Sequence, residues 1–288
     1  MVGLLLTCLG ILSLFFLYTL IKDLKERRPP LNRSKLVVAF FIGMLTDFLD
    51  TLGIGSFAPT IMLFNATTFL DDDRKLPGTL NTAHVIPTMV ETFIFIGVVK
   101  VSPVTLITLV TSATIGALVG SKRVIKASER RIQLIMGSTL IVTALLMAVR
   151  HIGWIDLLGK GNEATELVGM SLFIGIIGNF ILGLLMTVGV GIYAPCMAML
   201  YLLGLSPLAT YPIMMASSAG LMPVAGIKFI KSAHYSPEGT IGILIGGVLG
   251  VFLAVPLIKS LNLYVLTWVV IGIILYSGGM MLYKYLKA

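Results

Sequence analysis

The stretch Gly53-Ile54-Gly55-Ser56-Phe57-Ala58-Pro59 interrupts one apolar run, and Gly189-Val190-Gly191-Ile192-Tyr193-Ala194-Pro195 interrupts another. The second copy starts 136 residues after the first; four of the seven paired positions are identical, and Ile54/Val190 and Phe57/Tyr193 are conservative exchanges. Glycine lets a backbone leave the helix and proline suits the first turn of a new one, so each copy reads as a break followed by a half-helix. In a bilayer such irregular backbone is tolerated only where it is buried in protein or lines a cavity. The rest of the chain then reads as scaffolding for two breaks.

Composition supports that setting. With 57% hydrophobic and 12% charged residues over 288 positions and a mean hydropathy of +1.01, the chain is a polytopic membrane protein rather than a soluble domain. The net charge of +8 lies between apolar runs and not along a helix face, which fits the orientation bias of membrane loops better than nucleic-acid binding. Cys8 and Cys196 sit in apolar stretches without Cys or His partners at metal spacing, so neither a disulfide nor a metal site is expected. Positive charges follow the first apolar run instead of preceding it, and residues 3–21 are read as a retained membrane helix.

Four segments follow: an N-terminal transmembrane helix with a basic cytoplasmic linker (1–35), a first repeat (36–150), an extracytoplasmic linker (151–166) and a second repeat (167–288). The first repeat holds apolar runs at about 36–70, 78–99, 103–121 and 132–149; the second holds them at about 167–204, 209–230, 239–257 and 263–283. At the same offset Thr51 meets Thr187 and Pro87 meets Pro223; after a slip of two residues Ser102-Pro103 meets Ser236-Pro237 and Gly116 meets Gly250. Apolar composition alone does not align prolines in order, so an internal duplication is the economical reading. If each broken run folds back as a hairpin, the repeats are inverted and 17 of the 21 Lys and Arg fall on the cytoplasmic side, with Lys100, Arg150, Lys160 and Lys259 outside. If each crosses once, the split is 13 against 8. The hairpin arrangement is expected, with the N-terminus outside and the C-terminus inside the cell (inner) membrane. The fold class expected is all-α, with two inverted repeats that each carry a glycine-broken hairpin, plus one extra helix.

Inverted repeats with broken helices near mid-membrane are the architecture of secondary transporters. Two facing helix N-termini offer free N–H groups and partial positive charge, enough to hold a small anion without an arginine. Candidate cage residues are Gly53, Gly55, Ser56 and Thr51 at the first break, and Gly189, Gly191, Thr187 and Tyr193 at the second. Asn81 and Thr82 follow on the next span, matched at the offset by Ser217 and Ser218. Taken singly, each Ser or Thr more often bonds back to its own helix. Four ionisable residues lie inside apolar runs: Asp47 and Asp50 on one helix face, His84 and Glu91. Their counterparts in the second half are Gly183, Met186, Gly220 and Ile227. Asp47, Asp50 and His84 are candidate proton-coupling groups; for Glu91 a neutral, hydrogen-bonded or snorkelling carboxyl is the stronger expectation. The Asp71-Asp72-Asp73-Arg74-Lys75 cluster reads as a solvated loop, and Met214, Met215, Met222, Met280 and Met281 read as packing rather than soft-metal ligands. Asn65-Ala66-Thr67 fits a glycosylation sequon but falls on the expected cytoplasmic side, and Gly53-x-Gly55 lacks the strand-turn-helix context of a dinucleotide site. No Ser/His/Asp or metal-protease arrangement argues for an enzyme, and no cofactor is expected.

The two glycine-broken helices ending in proline, followed by Pro77-Gly78-Thr79-Leu80-Asn81, make the chain resemble the TauE/SafE sulfite exporter family of permeases over roughly residues 36–285. The resemblance implies secondary transport of small sulfur-containing anions such as sulfite or organosulfonates, with Gly53, Gly55, Asn81, Gly189 and Gly191 at the substrate site. Two departures stand out. The family often shows a longer glycine run where this chain has Gly53-Ile54-Gly55, and a lysine where Thr82 stands, which removes a charge that could bind the anion. The expected partners are the anion, the lipid bilayer and protons as coupling ion, with a homo-oligomer allowed and no nucleic acid. A passive anion channel and a non-transporting accessory subunit are the alternatives.

Overall fold

Proline pairs, capping residues and glycines cut the apolar sequence into helices. The computed structural model describes residues 2–96, 101–154, 157, 160–257 and 263–287, and among these it holds helices and no strand. The first helix, α1 (Val2–Arg27), stops before Pro29-Pro30. Asn32 then starts α2 (Arg33–Thr51), its side chain accepting from the Ser34 and Lys35 N–H groups at 2.9 and 3.3 Å. After the first break come α3 (Phe57–Ala66), α4 (Leu76–Ala83), α5 (Val85–Phe95), α6 (Pro103–Val124) and α7 (Glu129–His151). The second half runs α8 (Gly169–Met186), the second break, α9 (Tyr193–Leu202), α10 (Pro207–Lys231), α11 (Pro237–Ala254) and α12 (Leu263–Lys287).

Seven described helices are long and apolar enough to cross a membrane: α1, α6, α7, α8, α10, α11 and α12. The chain is thus a multi-pass membrane protein. Two details differ from the expected runs. The stretch at 78–99 is not one helix, because Pro87 has no N–H to return to the Ala83 carbonyl and the chain turns at His84 between α4 and α5; residues 97–99 lie outside those described. The other concerns depth: α8, the first arm of the second broken run (about 167–187), is long enough to cross by itself, as its length in the sequence allows. Lys100 and Lys259, two of the four basic residues expected outside, also lie outside the described residues.

Both broken elements end beside where they began. Lys35, in the first turn of α2, pairs with Asp71 beyond α3 at 3.5 Å. In the second half, Ala164 ahead of α8 forms a bridge with Leu205 beyond α9, and Ser206 N–H donates to the Ala164 carbonyl at 2.8 Å. The open ends of the two elements lie at different ends of α7. At the first, Asp73 accepts from Gln133, early in α7, at 3.0 Å, whereas the second is tied to the linker that follows α7.

Packing crosses between the halves: α2 lies along α11, α8 along α6, and α7 along α12. One contact is made twice. Gly116 on α6 lies so close to the Phe180 carbonyl that a Cβ would collide, and Gly250 on α11 does the same to the Met44 carbonyl. Gly116 stands opposite Gly250 in the sequence alignment of the two halves, and Phe180 opposite Met44 at the 136-residue offset, so the two contacts join paired positions.

The Asp71 to Lys75 cluster corrects its expectation. Asp71 is solvated, but Asp73 is buried, taking hydrogen bonds from Lys284 Nζ at 2.9 and 3.1 Å as well as from Gln133. The same Lys284 ammonium donates to Asn65 at 3.1 Å. A carboxylate is seldom buried without a paired cation, and this one has its cation from the far end of the chain.

Candidate functional site

Each break brings a helix N-terminus to the same place. Leaving α2, Gly53 and Gly55 take φ of +82° and +98°, and α3 starts at Ser56, which makes no side-chain cap bond. Leaving α8, Gly189 takes φ of +109°, and α9 starts at Ile192, also uncapped. Among the described residues no backbone carbonyl accepts from the N–H groups of Gly55, Ser56, Phe57, Gly191, Ile192 or Tyr193. The residues carrying them line one cavity of about 40 Å³, large enough for about three waters. Thr88, Thr143, Met147, Met186, Ser218, Met222 and Ile274 close its walls, and Asp50 brings a carboxyl to it. Among the described residues no lysine or arginine lines it.

Behind Asp50 lies a wholly buried polar group. Asp47 Oδ1 lies 2.7 Å from His84 Nδ1, and His84 Nε2 lies 3.2 Å from Thr60 Oγ1. Glu91 Oε1 lies 2.6 Å from Thr51 Oγ1, and Tyr193, from the second break, reaches Asp50 Oδ2 at 3.5 Å. Asp47 Oδ2 and Glu91 Oε2 are buried without a hydrogen-bond partner. Three carboxyl groups and one imidazole thus share the apolar interior beside the breaks, all contributed by the first half. The second half makes room for them. Where Asp47 stands on α2, α8 has Gly183 against Ala113, and where Ala113 stands on α6, α11 has Gly247, whose missing Cβ leaves the space for Asp47 Oδ2.

Of the residues expected at the site, Asp50, Gly53, Gly55, Ser56, Gly191, Tyr193 and Ser218 meet at the cavity. Asp47 and His84 lie behind it as the pair just described. Gly189 faces Leu80 and Met136 instead. Asn81 donates to the Pro77 and Met186 carbonyls at 2.9 and 3.2 Å, bracing the end of α8. Thr82 bonds back to Gly78 at 2.9 Å and meets Thr240 at 2.6 Å, and Ser217 accepts from Asn179 at 2.9 Å. Back-bonding also holds Thr51 and Thr187. Glu91 neither snorkels nor lacks a partner: it is fully buried on the Thr51 hydroxyl. Thr60 went unsuspected. For Glu91 the legible signal is spacing, since His84, Thr88 and Glu91 recur at four and seven positions and share one helix face.

Compared with known families, residues 1–147 match the model of the Sulfite exporter TauE/SafE family. The chain belongs to the TauE/SafE family. The match includes α1, which the sequence resemblance left out, and ends within α7. Membership makes the chain a membrane permease-type protein, and TauE/SafE proteins are transporters rather than enzymes. No curated protein and no solved structure matches the chain. Among the described residues no group of three or more His, Cys, Asp or Glu could hold a metal ion.

Proposed function

We propose that this TauE/SafE protein is a secondary permease for a small sulfur-containing anion, such as sulfite or an organosulfonate, held between the two breaks and moved by alternating access. The observation that carries the reading is the meeting of two uncapped helix N-termini over one small cavity without a basic side chain. Helix-start N–H groups and helix dipoles supply the positive potential there, and Asp50 already takes part of it through Ser56. Asn81 acts as a brace for the second break, and Ser56, Tyr193 and Ser218 complete the cage.

Asp50 sets the coupling. A carboxylate and an anion in the same low-dielectric cavity repel strongly, so the anion enters together with a proton on Asp50. The Asp47–His84 pair stands behind it as the relay. The ends of the two broken elements, at opposite ends of α7, support an inverted pair of repeats. The Lys and Arg distribution supports an N-terminus outside and a C-terminus in the cytoplasm of a cell (inner) membrane.

Flux into proteoliposomes tests this for sulfite, sulfate, thiosulfate, sulfoacetate and acetate, with and without a pH gradient. Wild-type protein accumulates one sulfur anion selectively when the gradient is imposed. Gly55→Leu and Gly191→Leu insert but carry nothing. Asp50→Asn keeps downhill flux and loses the pH-driven accumulation. Equal leakage of every anion would mean a channel, and wild-type rates in both glycine variants would remove the site.

A further inference from the structure

Lys122 and Arg123 at the end of α6, Lys126 in the turn that follows and Arg131 at the start of α7 are all exposed, and the four line one concavity of about 520 Å³. Among the described residues none of them forms an ion pair. The nearest acid in sequence, Glu129, accepts instead from the Asp73 N–H at 3.2 Å. Lys228 of α10 donates to the Leu118 carbonyl at 3.2 Å and adds a further cation close by. Below this rim the floor is apolar, made by Ile132 and Ile135 of α7 together with Leu184 of α8 and Val188 of the second break.

Like charges gathered without a counter-ion repel one another, and an anion relieves them. A free inorganic anion would satisfy the rim and leave the apolar floor uncovered. A zwitterionic lipid would cover the floor and bring its own cation to the rim. An anionic amphiphile satisfies both, and basic pockets between helices at the cytoplasmic face are suited to such headgroups. We propose that this groove binds one anionic phospholipid, its phosphate among the four basic side chains and an acyl chain along the floor. Leu184 and Val188 flank Thr187, and Gly120 abuts Thr187 and the Leu184 carbonyl with no space for a Cβ. The bound lipid therefore bears on the segment that leads into the second break.

Native mass spectrometry of the purified full chain tests the site without reference to transport. Phosphatidylglycerol is retained saturably at one per chain, phosphatidylcholine at least tenfold more weakly, and millimolar inorganic phosphate does not displace the bound lipid. Changing Lys122, Arg123, Lys126 and Arg131 together to Gln weakens phosphatidylglycerol retention by at least about tenfold. Because those charges also guide insertion, Ile135→Trp supplies a second arm: it keeps every charge, fills the floor and lowers retention several-fold at an unchanged melting temperature. Equal retention of the two lipids, displacement by phosphate, or unchanged retention in Ile135→Trp would each overturn the proposal.

Discussion

Gly55 and Gly191 occupy the same place in the two copies of the repeated stretch, yet they are needed for different reasons. At Gly55 the φ of +98° forbids an ordinary side chain whatever space surrounds it. At Gly191 the backbone makes no such demand, and an added Cβ would meet nothing within 4 Å. Gly55→Ala should therefore lower stability by about 1–2 kcal/mol, read as a lower melting temperature in detergent. Gly191→Ala should change stability by less than about 0.5 kcal/mol but slow anion flux, because its methyl group enters a cavity of about 40 Å³. Identical letters hide this difference, since the sequence carries no dihedral angle. Gly247 provides a second case. Gly247→Ala would drive a methyl group into Asp47 Oδ2 and Pro87; the expected result is a loss of about 1–3 kcal/mol together with weaker pH-driven accumulation. A variant that melts and transports as wild type would separate Asp47 from the coupling.

At the scale of elements, the end of the first broken element is tied to the last helix by one cation. Lys284, near the end of α12, joins Asn65 at the end of α3 to Asp73 in the following loop, while Gln133 attaches the same carboxylate to α7. Asp73→Asn and Lys284→Met should each lower stability by about 1–3 kcal/mol. The double variant should lose less than the two losses added together, by about 0.5–3 kcal/mol. Strict additivity in thermal melts of the four proteins would show the ion pair to be idle. Nothing near Asp73 in sequence distinguishes it from its solvated neighbours, because its partner lies 211 positions away. The division of α4 from α5 was more accessible, as Pro87 marks it three residues after His84. Yet Pro223, its match in the other half, sits inside the unbroken α10, so proline alone does not decide a break.

At the scale of the whole molecule, the orientation of each half has a direct test. In the hairpin arrangement Lys126 is cytoplasmic and Lys160 is outside; in the single-crossing arrangement they exchange sides. In a Cys8→Ser background, which removes the exposed thiol, Lys160→Cys should react with a membrane-impermeant maleimide in intact cells. Lys126→Cys should react only after the membrane is opened. The reverse pattern would exclude inverted repeats. The crossed pairing of α2 with α11 and of α8 with α6 also implies that neither half carries its full packing alone. An expressed 36–150 fragment should thus fail to give a cooperative melt, since the glycine faces of α2 and α6 lose their partners.

The all-helical membrane architecture, the duplication and the two breaks were determined by the sequence alone. Hydropathy, glycine, proline and repeat spacing act locally, or recur at a fixed interval, and each can be read without knowing what touches what. Tertiary structure decided the rest: that Asp50 reaches the cavity while Asp47 turns to His84, that Asn81 braces instead of lining, and that Asp73 is buried by Lys284. Each depends on a contact between residues far apart in the chain. Burial, hydrogen bonding and charge pairing are properties of such meetings, and only the packed helices bring them about.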